Sequence, residues 1–154
     1  MLDPACGGNI LGAMPPARDA LTFVVGFDGS DAARRGLAYV GQVAAETRKV
    51  VVVAVTPEVD SSSIFSESLV NDDFDPERLL DEAVELLADT DGTTVERRAL
   101  AGDPARVLVE VTREVDADLL IVGRRGTDFV ARTLLGSVAQ RVIEQASCDV
   151  LVVG

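Results

Sequence analysis

The chain has 154 residues, 47% apolar and only 4% aromatic, with 26 acidic against 14 basic side chains for a net charge of −12. That length suits one domain with a sizeable core, built here from Val, Leu, Ile and Ala. The acidic balance excludes non-specific attachment to nucleic acid or an anionic membrane. The absence of histidine excludes Ser/His/Asp and Cys/His catalysis, His-bearing zinc sites and imidazole pH switches.

Residues 1–20, "MLDPACGGNILGAMPPARDA", hold no sustained period and read as a flexible tail, so the folded domain is expected over 21–154. "LTFVVGF" (21–27) reads as a short apolar strand ended by "DGSD", a turn with helix-capping chemistry. A helix of about fifteen residues follows, with Ala33, Leu37, Val40 and Ala44 on one face. "VVVVAV" (50–55) is a buried strand closed by Thr56-Pro57, and a polar connection fills 58–75. The next helix starts after Pro76 with Leu80, Val84 and Leu87 inward, and "TTVERRAL" (93–100) fits a sheet-edge strand. "GDP" (102–104) opens a third helix in which Val107, Val111 and Val115 share a face. "DLLIV" (118–122) and "DVLVV" (149–153) are two more buried strands. A Gly-rich loop and a helix carrying Leu135, Val138, Ala139, Val142 and Ile143 separate them.

Strict alternation of apolar strands with helices predicts a five-stranded, mostly parallel, doubly wound α/β domain of Rossmann-like type with helices on both faces. Ligands of such sheets bind outside the carboxyl ends of the strands, where the winding reverses. That rule selects Gly26-Phe27-Asp28, Val55-Thr56 and the stretch from Gly123 onward.

Lys49 is the sole lysine beside thirteen arginines, and Asp outnumbers Glu, a bias that points to a halophilic source. Cys6 and Cys148 form no CxxC pair, which fits a reducing compartment, and Cys148 is expected to act as a small buried hydrophobe. There is no run of about 18 apolar residues and no basic, apolar leader, so a cytoplasmic location is expected.

The stretch "GRRGTDFVARTLLGS" (123–137) combines glycines at a strand end with a Gly-Ser at a helix start. Taken singly, these features serve turns and caps. Together they place backbone N–H groups and a helix dipole at the carboxyl end of a central strand, which favours a phosphate. Between 124 and 141, Arg124, Arg125, Arg132 and Arg141 stand against Asp128 alone, a local charge of +3 that suits a polyanion; the alternative is pairing with neighbouring carboxylates. No GxxxxGK[ST] and no GxGxxG after the first strand are present, so neither a P-loop nor a dinucleotide site is expected.

Gly123, Gly126, Gly136 and Ser137 complete G-x2-G-x9-G-[S/T], and this spacing resembles the ATP-binding pattern of the universal stress protein family. The resemblance runs over 21–153, through "VVGFDGSDAARRGL", "VVVVAV", "AGDPARVLVEV" and "LLGSVAQRVIEQASCDVLVV". It implies the adenine nucleotide alpha hydrolase-like variant of the Rossmann-like fold and a bound ATP with Mg2+ or Mn2+ on its phosphates. By position it implies Asp28 at the ribose or the metal, Gly26 beside the nucleotide, and Val55 at the adenine edge. It further implies Val122, Gly123, Arg125 and Gly126 around the ribose and phosphates, and Gly136, Ser137 and Val138 on the terminal phosphates. Arg124 stands where the family commonly has serine, and Asp149 where it often has proline.

The resemblance also implies a homodimer paired through residues 149–153, and an edge strand that apolar is a liability that pairing removes. The function expected is a nucleotide-dependent stress-response module acting on an unidentified protein partner. A slow ATPase and a scaffold with a vestigial pocket are the alternatives. No base distinct from the binding residues is found, so binding without turnover is the expectation.

Overall fold

The computed structural model describes residues 21–43, 47–58, 74–125 and 135–154, Arg48 through its backbone alone. The expected tail, Ala44, Gly126, Asp128, Arg132 and most of the 58–75 connection lie outside the described residues. Five strands alternate with four helices: β1 (Leu21–Gly26), α1 (Asp31–Gln42), β2 (Thr47–Thr56), α2 (Pro76–Leu86), β3 (Thr94–Ala101), α3 (Pro104–Glu114), β4 (Leu119–Gly123), α4 (Ser137–Gln145) and β5 (Asp149–Val153).

The strands form one sheet in the order β3-β2-β1-β4-β5, with every neighbouring pair parallel. The chain therefore winds outward from β1 in one direction and then returns to its other side, leaving a crevice between the carboxyl ends of β1 and β4. The strands are valine-rich because both sheet faces are covered. Phe23, Val25, Val50, Val52 and Ile121 face α1 and α2, with Leu37, Val40 and Leu80. Val24, Val51, Val53, Leu120 and Val122 face α3 and α4, with Leu108, Val109 and Val142.

Short-range chemistry starts three of the helices. The Ser30 hydroxyl accepts from the Ala33 amide at 3.2 Å, and the Asp75 and Asp103 carboxylates cap α2 and α3 just before a proline. At the opposite end of the sheet the Asp118 amide donates to the Thr22 carbonyl at 2.8 Å. The Thr22 amide donates back to Asp118 Oδ2 at 2.8 Å, clamping β1 to β4. The β3 edge is defended by charge, which discourages edge pairing. Glu96 accepts from Lys49 Nζ and from Arg98 Nε, each at 2.6 Å, and Arg98 also reaches Glu114 at 3.0 Å. Those bonds, Lys49 first, hold the Glu96 carboxyl below its ordinary range.

Several sequence expectations need correction. The first helix has 12 residues rather than about fifteen, and β2 begins at Thr47, because the polar "TRK" segment pairs with β1 and β3 on the way in. In α3 the buried stripe runs through Ala105, Leu108, Val109, Val111 and Thr112, so Val107 and Val115 are only half-buried. Leu135 precedes α4, and it and Ile143 are 38% and 50% exposed, because this nine-residue helix buries only the stripe through Ala139 and Val142. Val84 is likewise half-buried. Cys148 is half-buried, and that burial pushes its thiol pKa up.

Candidate functional site

The crevice is assembled from four chain ends. β1 stops at Gly26, and the β1–β2 ladder closes with the Phe27 amide donating to the Val53 carbonyl at 2.9 Å. The chain then turns sharply: the Ser30 amide donates to Asp28 Oδ1 at 2.9 Å. Gly29 takes φ +77°, where a Cβ would also stand 2.8 Å from Leu79 Cδ2. This turn leaves Asp28 half-buried at the mouth of the crevice, one carboxylate oxygen occupied.

β2 runs past the end of β1. Val53 presents its carbonyl toward β1, and Thr56 presents its own toward β3, accepting from the Gly102 amide at 3.0 Å. Strand alternation therefore turns the N–H and C=O of Val55 to the β1 side, beyond the last bond of that ladder.

β4 ends at Gly123, where space is short. A Cβ there would lie 3.1 Å from Ala32 Cβ and 3.2 Å from the Arg125 carbonyl oxygen, because the first turn of α1 closes over the strand end. The Arg124 amide donates to the Val153 carbonyl at 2.6 Å, and the Arg124 carbonyl accepts from the Gly136 amide at 2.8 Å. One residue thus ties the tip of β5 to the residue before α4 and closes the base of the loop between β4 and α4. Gly136 has φ −64° and ψ 153°, open to any residue, so its glycine serves space rather than rotation. A Cβ there would meet the Arg124 carbonyl oxygen at 3.0 Å and Arg125 Cα at 3.3 Å.

Among the described helices α4 is the one without a side-chain cap. Its first internal bond is the Gln140 amide to the Gly136 carbonyl at 3.0 Å, so the amides of Ser137, Val138 and Ala139 have no acceptor within the helix. They carry the positive end of the helix dipole beside the exposed Ser137 hydroxyl, an arrangement that favours an anion.

Gly123, Gly136, Ser137 and Val138 therefore gather around one loop base, with Val122 buried beside them and packed toward α3 and α4. Gly26 adjoins Val122, and Asp28 and Val55 flank the β1 end. Three site expectations change in detail. The Gly136 amide is spent on Arg124, which leaves the amides of residues 137–139 as the ones without an acceptor in the helix. The space a Gly26 side chain would need is filled by Leu108, whose Cδ1 would lie 3.0 Å from a Cβ, so this glycine admits α3 to the sheet. Arg141 turns away to Asp103 at 2.6 Å, and with the Arg106 amide it holds that carboxyl below the ordinary range. Arg124 is exposed and Arg125 half-buried at the crevice rim, while Gly126 lies outside the described residues. The Arg124 carbonyl, the Ala139 amide and Ala32 were not legible beforehand, because backbone atoms and a lone alanine leave no pattern.

Comparison with known proteins agrees with this architecture. The model of the universal stress protein family matches residues 21–154. The universal stress protein Rv1636 of Mycobacterium tuberculosis is 31% identical over 138 residues, covering 86% of this chain and 94% of the relative. A solved universal stress protein in complex with cAMP is 31% identical with a TM-score of 0.67, covering 89% of this chain and 99% of that one. The universal stress protein of Archaeoglobus fulgidus in complex with dAMP is 25% identical with a TM-score of 0.61, covering 89% and 100%. The chain belongs to the universal stress protein family.

Proposed function

We propose that the crevice between β1 and β4 binds an adenine nucleotide, ATP in the cell, and that the protein acts as a nucleotide-dependent stress-response module rather than an enzyme. The observation that carries this reading is the uncapped first turn of α4, set against the carboxyl end of β4 across a loop base where a side chain at Gly123 or Gly136 would crowd the backbone. Relatives of the same fold in complex with cAMP and dAMP support an adenylate. The adenine edge faces the backbone of Val55, Asp28 and Gly123 flank the ribose, Arg125 lies beside the phosphates, and the amides of 137–139 take the terminal phosphoryl oxygens.

The residues fit Mg2+ or Mn2+ only as a companion of the phosphates. Among the described residues no group of three or more His, Cys, Asp or Glu could hold a metal. Asp28 with one uncommitted oxygen would supply a single protein ligand, as magnesium on a nucleotide requires.

The module is read as a cytoplasmic homodimer paired through β5 (149–153), the sheet edge that lacks the charged guard of β3, and it acts on an unidentified protein partner. Calorimetric titration with ATP, AMP and cAMP tests the reading. Saturable heat at one site per chain is expected, strongest for ATP. No heat from any of the three overturns it in favour of a scaffold. Turnover of magnesium-ATP abolished by Asp28→Ala would make it a slow ATPase.

A further inference from the structure

β5 is the outer strand beside α1, and a shallow hollow of about 460 Å³ runs between them. Its helical wall is Arg35, Ala38, Tyr39 and Gln42, an i, i+3, i+4, i+7 stripe along one face of α1. Its floor is the second half of β5. Tyr39, 38% exposed, stands over that apolar floor. Charge is placed unequally along the strand. Arg35 Nε donates to the Gly154 carbonyl at 2.7 Å, fixing a guanidinium at the carboxyl end. Asp149 opens the strand at its other end and is exposed.

We propose that a second copy of this chain lays its β5 antiparallel against this edge in a register centred on Leu151, and that Asp149 of each copy pairs with Arg35 of the other. The inference rests on the reading of β5 as the dimer edge; its new content is the register and the ion pair. Closed twofold symmetry makes the two strands antiparallel, since each must present the same surface to its mate. Val153 turns its carbonyl toward β4, where it accepts the Arg124 amide. By alternation Asp149 and Leu151 face β4 as well, and the N–H and C=O groups of Val150 and Val152 point outward.

Pairing Val150 with Val152 of the second copy satisfies all of these outward groups. It sets Leu151 across from itself on the twofold axis and Asp149 across from Val153. A slip of two residues in either direction carries one outward pair past the end of the strand. Opposite residues of an antiparallel pair project to the same face. Asp149 shares the parity of Leu151 and Val153, which pack on the α1 side. Its carboxylate therefore arrives beside Arg35, once at each end of the joint. An acid at the start of β5 and a base at its end complement each other only in this antiparallel arrangement.

Sedimentation equilibrium in low salt tests the clamp with the parent chain, Asp149→Arg, Arg35→Asp and the double exchange. Each single reversal is expected to raise the dimer dissociation constant about tenfold or more, and the double exchange to restore it to within about threefold of the parent. Asp149→Arg alters an exposed strand-start residue and carries the test even if Arg35→Asp, which also loses the Gly154 contact, folds poorly. A dissociation constant indifferent to Asp149→Arg, or a double exchange as weak as either single variant, overturns the register and leaves the dimer edge standing. A parent chain that stays monomeric at every concentration overturns both, and nucleotide titration of that monomer then shows whether the crevice reading survives on its own.

Discussion

Replacing Gly136 with alanine adds one methyl group where the crevice is walled by backbone atoms. The new Cβ would sit 3.0 Å from the Arg124 carbonyl oxygen and 3.3 Å from Arg125 Cα, so the neighbours must give by a few tenths of an ångström. Both are backbone atoms, and Arg124 is held on two sides, by Val153 and by Gly136 itself. They cannot swing aside as a side chain would. Alanine adopts φ −64°, ψ 153° without strain, and its stiffer unfolded chain favours folding by about 0.4–1 kcal/mol. Against this, overpacking costs about 1–3 kcal/mol, and a stretched Gly136–Arg124 bond about 0.5–1.5 kcal/mol. The balance is a destabilisation of about 1–3 kcal/mol, or a melting point lower by roughly 3–10 °C. Because the displaced peptide is the base of the loop, ATP affinity should fall at least tenfold, about 1.4 kcal/mol. Urea unfolding and calorimetric titration read the two effects separately, with Ser137→Ala, which keeps its amide, as the milder comparison. A Gly136→Ala protein as stable as its parent and equally tight for ATP refutes the reasoning. One that is destabilised yet binds ATP unchanged would keep the packing argument and remove the phosphate from this loop.

Glu96→Gln tests the charged edge of β3. The folded carboxyl sits below its ordinary range, so its stabilisation is complete above the unfolded carboxylate pKa and is lost as pH falls through the folded one. The parent should therefore lose up to about 1 kcal/mol more than the variant when acidified from neutrality to about pH 3, read by urea unfolding at each pH. Asp118→Ala removes the acceptor of the Thr22 amide at the start of β1 and should cost about 1–3 kcal/mol. Asp118→Asn, which keeps an oxygen there, should recover most of that loss in the same assay. A surface of net charge −12 repels itself, so the unfolding midpoint should rise as salt is raised from about 0.01 M to about 1 M, where the screening length falls from roughly 30 Å to 3 Å. A midpoint indifferent to salt would remove the case for a halophilic origin.

The sequence alone determined the order of elements, because a strand buried on both faces must be a continuous apolar run and a covering helix must show a 3.6-residue period. "VVVVAV" and "DVLVV" read as strands by their shortness and β-branched content, and Ser30, Asp75 and Asp103 mark helix starts by chemistry that acts within three residues. The spacing of Gly123, Gly136 and Ser137 likewise marked one loop returning to a helix start. Which atoms are spent and which remain was set by the fold. Leu108 fills the space beside Gly26, Asp103 draws Arg141 away, and Arg124 consumes the Gly136 amide, each partner lying between 12 and 82 positions away in the chain. Such pairings depend on how the sheet brings distant segments together. A one-dimensional pattern records the period of a helix but not the neighbour that the fold sets against it.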